Sequence, residues 1–262
     1  MISQLIADAR KIIIKFGSNT LAGPDGKINF TFLDELAEQA AALMKKGKQI
    51  VIVSSGAQVA GLSTMDKWAR KKDIHYRQAL CAVGQVQLMK AWRRAFEQHN
   101  YFIAQILLTN EDFNDTNRTL NMRNTLFTLV DEGIIPIINE NDTISVDEIK
   151  IGDNDTLAAR SAILWSADLL ILFSDIDGLY DKNPKEFPQA TLVEEVRDIA
   201  EVRKNITIGE TNSFGTGGIA TKLDAAELAL SYGISTILAN GGKPRSLEAL
   251  AEGTQKGTMF LA

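Results

Sequence analysis

This chain is short of several things that common protein classes need. It has one cysteine, Cys81, so no internal disulfide can form. The apolar neighbours Leu80 and Ala82 suit a thiol that packs in a core in a reducing cytoplasm rather than one poised as a nucleophile. Only two histidines occur, His75 and His99, and both read as helix-surface positions away from the polar clusters described below. No basic excess exists either: 28 Lys and Arg face 33 Asp and Glu, a net charge of -5, which argues against nucleic acid or an anionic membrane as partner. The first residues lack a basic segment followed by a small-residue cleavage site, and no apolar run approaches the length of a membrane span. Low-complexity tracts, fixed-period repeats and linkers are also missing, so residues 1–262 are expected to form a single domain.

What is present is an alternation of buried strands and helices. Residues 11–16 (KIIIKF) form a nearly continuous β-branched run suited to a strand covered on both faces, with Lys15 as its odd member. A helix over 32–46 follows, with Thr31 and Asp34 as a capping-box-like start and Gly47 as its stop. Residues 49–53 repeat the buried-strand pattern and run into Ser54-Ser55-Gly56-Ala57. The pattern then predicts an amphipathic segment over 76–99 interrupted only by Gly84, a strand over 101–108, a polar loop over 109–117 and a helix over 120–132. Later come a helix over 156–165, a strand over 169–173, a surface loop over 182–188, a helix over 219–232, a strand over 234–239 and a closing helix and strand. Strand alternating with helix implies an α/β fold with a mostly parallel sheet.

The stretch 134–159 stands out. A short apolar run containing Pro136 delivers Asn139, Glu140, Asn141 and Asp142 in succession, at the kind of strand end where open α/β sheets bind ligands. Residues 143–151 alternate apolar and polar, as a hairpin on the crevice rim would, and Gly152-Asp153-Asn154-Asp155 precedes a helix that Asp155 is placed to cap. Farther on, Gly215-Thr216-Gly217-Gly218-Ile219-Ala220-Thr221-Lys222 has the parts of a phosphate site: glycines, a helix N-terminus and a lysine. The spacing is not that of a Walker loop. A dinucleotide pattern also matches GTGGIA, but the later strand ends in Asn240 where a ribose-binding acid is wanted, and a plain glycine-rich surface loop is the bland alternative. Lys15 alone could snorkel from a sheet edge. Lys15 and Lys222 together with glycine-rich turns and carboxylates at strand ends are what phosphoryl transfer requires. Magnesium often rides on nucleotide phosphates, and Asp142, Asp153, Asp155 and Asp175 are candidates beside it, though none is assigned as a direct ligand.

With those motifs the chain resembles the glutamate 5-kinases of the amino acid kinase family over residues 11–260. The resemblance rests on Lys15-Phe16-Gly17-Ser18, Ser54-Ser55-Gly56-Ala57, Ala82-Val83-Gly84-Gln85, Ile138-Asn139-Glu140-Asn141-Asp142, Gly152-Asp153-Asn154-Asp155, the run from Ser174 to Tyr180, and Gly215-Thr216-Gly217-Gly218 through Lys222, in fixed order. It implies a three-layer α/β/α sandwich around a mainly parallel sheet of about eight strands. It further implies a glutamate site within residues 1–165, an ATP site within 166–262, and a short form lacking the C-terminal PUA domain. The implied reaction is transfer of the ATP γ-phosphoryl group to the side-chain carboxylate of L-glutamate, the first step of proline biosynthesis. Carried over residue by residue, Lys15, Asp155 and Lys222 are catalytic, the lysines stabilising the transition state and Asp155 holding them. Ser55, Asp142 and Asn154 bind glutamate. Lys15, Ser174, Asp175, Thr216, Gly217, Gly218, Ile219, Ala220, Thr221 and Lys222 bind ATP, with Ser174 where threonine is common. Also implied are Mg²⁺, feedback inhibition by L-proline, a γ-glutamyl phosphate reductase as candidate partner, and a homo-oligomer, dimer or tetramer, whose face the long helices could supply. Residues 63–74 could form a closing loop over a labile acyl phosphate, or simply a solvated one. The alternatives are a relative that phosphorylates another acceptor and a non-catalytic sensing module on the same fold.

Overall fold

The computed structural model describes residues 1–23, 25–65, 73–145, 154–184, 186–205 and 218–262. Its centre is a sheet of eight strands: β1 (Lys11–Phe16), β2 (Gln49–Ser54), β3 (Ile103–Leu108), β4 (Ile135–Glu140), β5 (Leu169–Ser174), β6 (Glu195–Val196), β7 (Ser235–Asn240) and β8 (Thr258–Phe260), in the order β3-β4-β2-β1-β5-β7-β8-β6. All neighbours run parallel except β7 and β8. The helices are α1 (Ile2–Asp8), α2 (Ser18–Leu21), α3 (Phe30–Lys45), α4 (Ala57–Met65), α5 (Ile74–Glu97), α6 (Thr116–Asp131), α7 (Asn154–Trp165), α8 (Ile199–Asn205), α9 (Ile219–Leu230) and α10 (Ser246–Glu252), numbered among the described residues.

The β-branched strands are long apolar runs because both faces of the sheet are covered. Successive side chains alternate between two separate cores. Ile12, Ile14 and Phe16 join Ile50, Ile52, Ile135, Ile137 and Ile171 against α3 and α5, whereas Ile13 joins Val51, Val53, Ile138, Leu170 and Leu172 against α7 and α9. The three-layer α/β/α architecture follows. The parity also decides where Lys15 goes: two residues from Ile13, it belongs to the face that carries α7 and α9. Because β1, β2, β4, β5 and β7 are parallel, their C-terminal residues Phe16, Ser54, Glu140, Ser174 and Asn240 lie along one edge. β1 has β2 on one side and β5 on the other, so the sheet is wound both ways from it and a crevice opens at that edge.

Several local expectations are corrected. Helix α3 begins at Phe30, and its cap is Asn29, whose side chain accepts the Phe32 N–H; Thr31 and Asp34 lie inside the helix. Helix α6 begins at Thr116, capped by Asp115, and a 3₁₀ turn (Asn110–Asn114) occupies the expected polar loop. Helices α1, α2, α4 and α8 and strand β6 had no sequence-based counterpart. Gly84 does not interrupt α5, which is continuous from Ile74 to Glu97. Its role is tertiary: a Cβ there would lie 1.7 Å from the Ala57 carbonyl oxygen and 2.3 Å from Gly61 N, so α4 and α5 meet backbone to backbone. The hairpin expected over 143–151 falls mostly outside the described residues, as do Asp153, Thr216, Gly217 and most of the proposed closing loop.

Candidate active site

At the crevice edge three charges from three elements meet in the interior. Lys15 of β1 and Lys222 of α9 both pair with Asp155 in the first turn of α7, Lys222 Nζ at 3.0 Å from Oδ2 and Lys15 on Oδ1. The Asp155 side chain is fully buried and those of both lysines nearly so. The Thr221 hydroxyl lies 3.1 Å from Oδ2 as well. Asp155 therefore does not act as a helix cap, as its position suggested; its carboxylate is spent on two lysines and a hydroxyl. Burial alone would push that carboxyl up, but the Lys15 and Lys222 ammoniums dominate and hold it well below the usual carboxylate range. The triad carries a net positive charge, locked in place in a site of low dielectric.

Beside it lies a polar cluster built from the ends of β2 and β4. Gly56 turns the chain after β2 with φ +100°, a conformation that favours glycine, and this presents Ser55 to α7. Asn154 donates from Nδ2 to Ser55 Oγ at 3.0 Å and to Asn139 Oδ1 at 2.9 Å, while its own Oδ1 is buried with no partner among the described residues. Asp142, in the turn that follows β4, is 6 % exposed. Burial and the nearby Glu140 charge push its carboxyl up to about 7, partly offset by the Cys81 thiol and by Arg77. The buried cysteine is thus a neighbour of the site as well as a core residue.

Helix α5 holds this cluster from behind. Gln78 Nε2 donates to the carbonyl of Asp142 at 3.0 Å, Gln85 Oε1 accepts from Asn139 Nδ2 at 2.8 Å, and Trp92 Nε1 donates to Ser54 Oγ at 3.0 Å. Residues 78, 81, 85 and 92 share one helical face. Gln85 and Trp92 received no role from the sequence, although a glutamine on the buried stripe of an otherwise apolar face is a legible signal. On the other side of the triad, Ser174 ends β5 with its hydroxyl 3.2 Å from Asp175 Oδ1, and Gly218 caps α9 directly before Ile219, Ala220, Thr221 and Lys222. Asn240, at the end of β7, donates to Asp177 Oδ1 at 3.0 Å.

The model of the amino acid kinase family matches residues 10–240, which takes in all of these elements. The chain belongs to the amino acid kinase family. This member is 63% identical over 262 residues to the glutamate 5-kinase of Alkaliphilus metalliredigens (strain QYMF), covering 100% of this chain and 99% of the relative. It is 57% identical over 260 residues to the glutamate 5-kinase of Alkaliphilus oremlandii (strain OhILAs), covering 99% of each chain. Among solved structures, UMP kinase from Ureaplasma parvum superposes with a TM-score of 0.67 at 18% identity, over 97% of this chain and 99% of that one. That likeness concerns the fold alone.

Proposed function

We propose that this amino acid kinase is a glutamate 5-kinase that transfers the γ-phosphoryl group of ATP to the side-chain carboxylate of L-glutamate. The reading is carried by the buried Lys15–Asp155–Lys222 triad beside the Ser55, Asn154 and Asp142 cluster, in a chain 63% identical over its full length to a named glutamate 5-kinase. The relevant chemistry needs no general base, because the nucleophile is a carboxylate already ionised at neutral pH. A glutamate carboxylate oxygen forms a bond to the γ-phosphorus as the bond from that phosphorus to the β,γ-bridging oxygen breaks, and ADP leaves with the electron pair. Two anions must approach each other in this step. The ammonium groups of Lys15 and Lys222 offset that repulsion, and Asp155 fixes them so that little reorganisation accompanies the transfer.

In this reading Ser55, Asn154 and Asp142 bind glutamate. The Asp142 carboxylate and the acceptor Asn154 Oδ1 suit the α-ammonium, and the Ser55 hydroxyl suits the α-carboxylate. Ser174, Asp175 and residues 216–222 bind ATP, with the α9 N-terminus facing phosphate. The glutamate site thus belongs to residues 1–165 and the ATP site to residues 166–262. Among the described residues no group of three or more His, Cys, Asp or Glu side chains gathers as a metal cage. Mg²⁺ carried chiefly on phosphate oxygens, neutralising their charge, is compatible with that. L-Proline as inhibitor and a homo-oligomer remain part of the proposal.

The test is ATP-dependent formation of acyl phosphate trapped as hydroxamate, with L-glutamate, N-acetyl-L-glutamate and L-aspartate compared with and without Mg²⁺. Activity confined to L-glutamate supports the reading. No hydroxamate from any of the three, in a protein that still binds ATP, would refute it.

A further inference from the structure

The polarity of the buried amide chain is set at one point that cannot flip. Asn139 Oδ1 accepts the backbone N–H of Glu140 at 2.9 Å, and a backbone amide offers only a donor. Asn139 Nδ2 must therefore face α5, where Gln85 supplies Oε1 at 2.8 Å. Asn154, meeting the same Asn139 Oδ1 at 2.9 Å, must present its Nδ2. The second proton of that Nδ2 goes to Ser55 Oγ at 3.0 Å. Two consequences reach the crevice. Among the described residues Asn154 is left with a buried, unpartnered Oδ1, an acceptor, and the Ser55 hydroxyl, already accepting from Asn154, is left with its proton to donate.

We infer that Gln85 is a positioning residue for glutamate binding, acting through Asn139 to fix which atoms of Asn154 and Ser55 face the substrate. The inference rests on the reading of this cluster as the glutamate site. Gln85 itself is 8 % exposed, sits on the stripe of α5 that also carries Gln78 and Trp92, and is too deep to be a surface polar residue. Its Oε1 is what keeps Asn139 Nδ2 satisfied. Without it, Asn139 Nδ2 is left buried and unpaired while Oδ1 stays on the Glu140 N–H, so the side chain gains by tilting Nδ2 toward another acceptor and drawing Oδ1 away from Asn154. Asn154 then loses the acceptor that fixes its amide and is free to turn Nδ2 to the crevice, where a donor opposes an ammonium ion, and Ser55 loses the bond that directs its proton. A loosened chain recognises the amino acid poorly while leaving the Lys15–Asp155–Lys222 triad untouched.

Steady-state kinetics of two variants test this. Gln85→Met keeps the volume and removes the acceptor; it should raise KM for L-glutamate about tenfold, with kcat and the ATP KM within about twofold, as expected for loss of one charge-directed hydrogen bond. Gln85→Glu keeps an oxygen within reach of Asn139 Nδ2, and burial favours the neutral form of a carboxyl there; it should hold the glutamate KM within about threefold of wild type. Should Gln85→Met fail to fold, Asn139→Asp takes its place, since it retains the oxygen facing Glu140 N–H, removes the donor to Gln85 and should repeat the rise in KM. An unchanged glutamate KM in Gln85→Met, or an equal rise in Gln85→Glu, overturns the inference. Wild-type protein without activity on L-glutamate instead overturns the functional reading beneath it.

Discussion

Raising the pH from about 6 to about 8 should increase kcat/KM for L-glutamate about tenfold, with Asp142 as the titrating group. Its carboxyl titrates near about 7 because burial and the Glu140 charge disfavour the anion more than Arg77 and Cys81 favour it. A group with that pKa is about one tenth ionised at pH 6 and about nine tenths at pH 8, and only the ionised form offers a full charge to the substrate ammonium. The assay is the initial rate of hydroxamate formation at saturating ATP and low glutamate, where the free enzyme's groups govern the profile. Asp142→Asn should lower the plateau and flatten the limb. A wild-type profile flat across this window, or a limb that survives unchanged in Asp142→Asn, would refute the assignment. Stability carries the opposite sign. A carboxyl whose folded pKa lies above its unfolded value binds protons more tightly when folded, so its contribution is complete below about pH 4 and is lost as the pH rises through about 7, by up to about 4 kcal/mol. Denaturation midpoints should therefore fall across this range, and less so in Asp142→Asn.

Three further outcomes are expected. Lys222→Met should reduce kcat by about 10²- to 10³-fold while the melting temperature changes little, because Asp155 keeps Lys15; near-wild-type turnover would remove Lys222 from the chemistry. Asp155→Asn leaves two buried ammonium groups without their counter-charge and should cost about 3–5 kcal/mol of stability by denaturant titration as well as most activity. Gly84→Ala places a methyl group against the Ala57 carbonyl and Gly61 N, so α4 must shift; a loss of about 1–3 kcal/mol and a raised glutamate KM should appear together, since α4 begins two residues after Ser55.

Much of the architecture was legible because it depends on local patterning. Runs such as Lys11–Phe16 and Leu169–Ser174 are apolar on both alternate faces, and that alone implies a sheet covered on two sides. The motifs of the site were legible too, since Lys15, Asp155 and Lys222 each sit in a distinctive stretch. Helix boundaries were less so: Asn29 caps α3 because its side chain reaches Phe32 N, a choice that several nearby polar residues could have made. Helices α1 and α4 escaped notice because a short apolar or small-residue segment carries no periodic signal long enough to separate helix from loop.

By itself the sequence determined the class of fold, the alternation of its longer strands and helices, and the residue types available at the ends of the strands, all of which follow from spacing along the chain. Only the tertiary structure decided which partners those residues take. Lys222 and Asp155 are 67 positions apart, Asn139 and Gln85 are 54 apart, and no local pattern couples them. It took the parity of β1 to turn Lys15 toward α7 and α9, and the packing of α5 against β4 to make a buried glutamine the anchor of the amide chain. The physical reason is that hydrogen bonds and ion pairs form between groups brought close in space, where removal from water makes each unpaired atom costly.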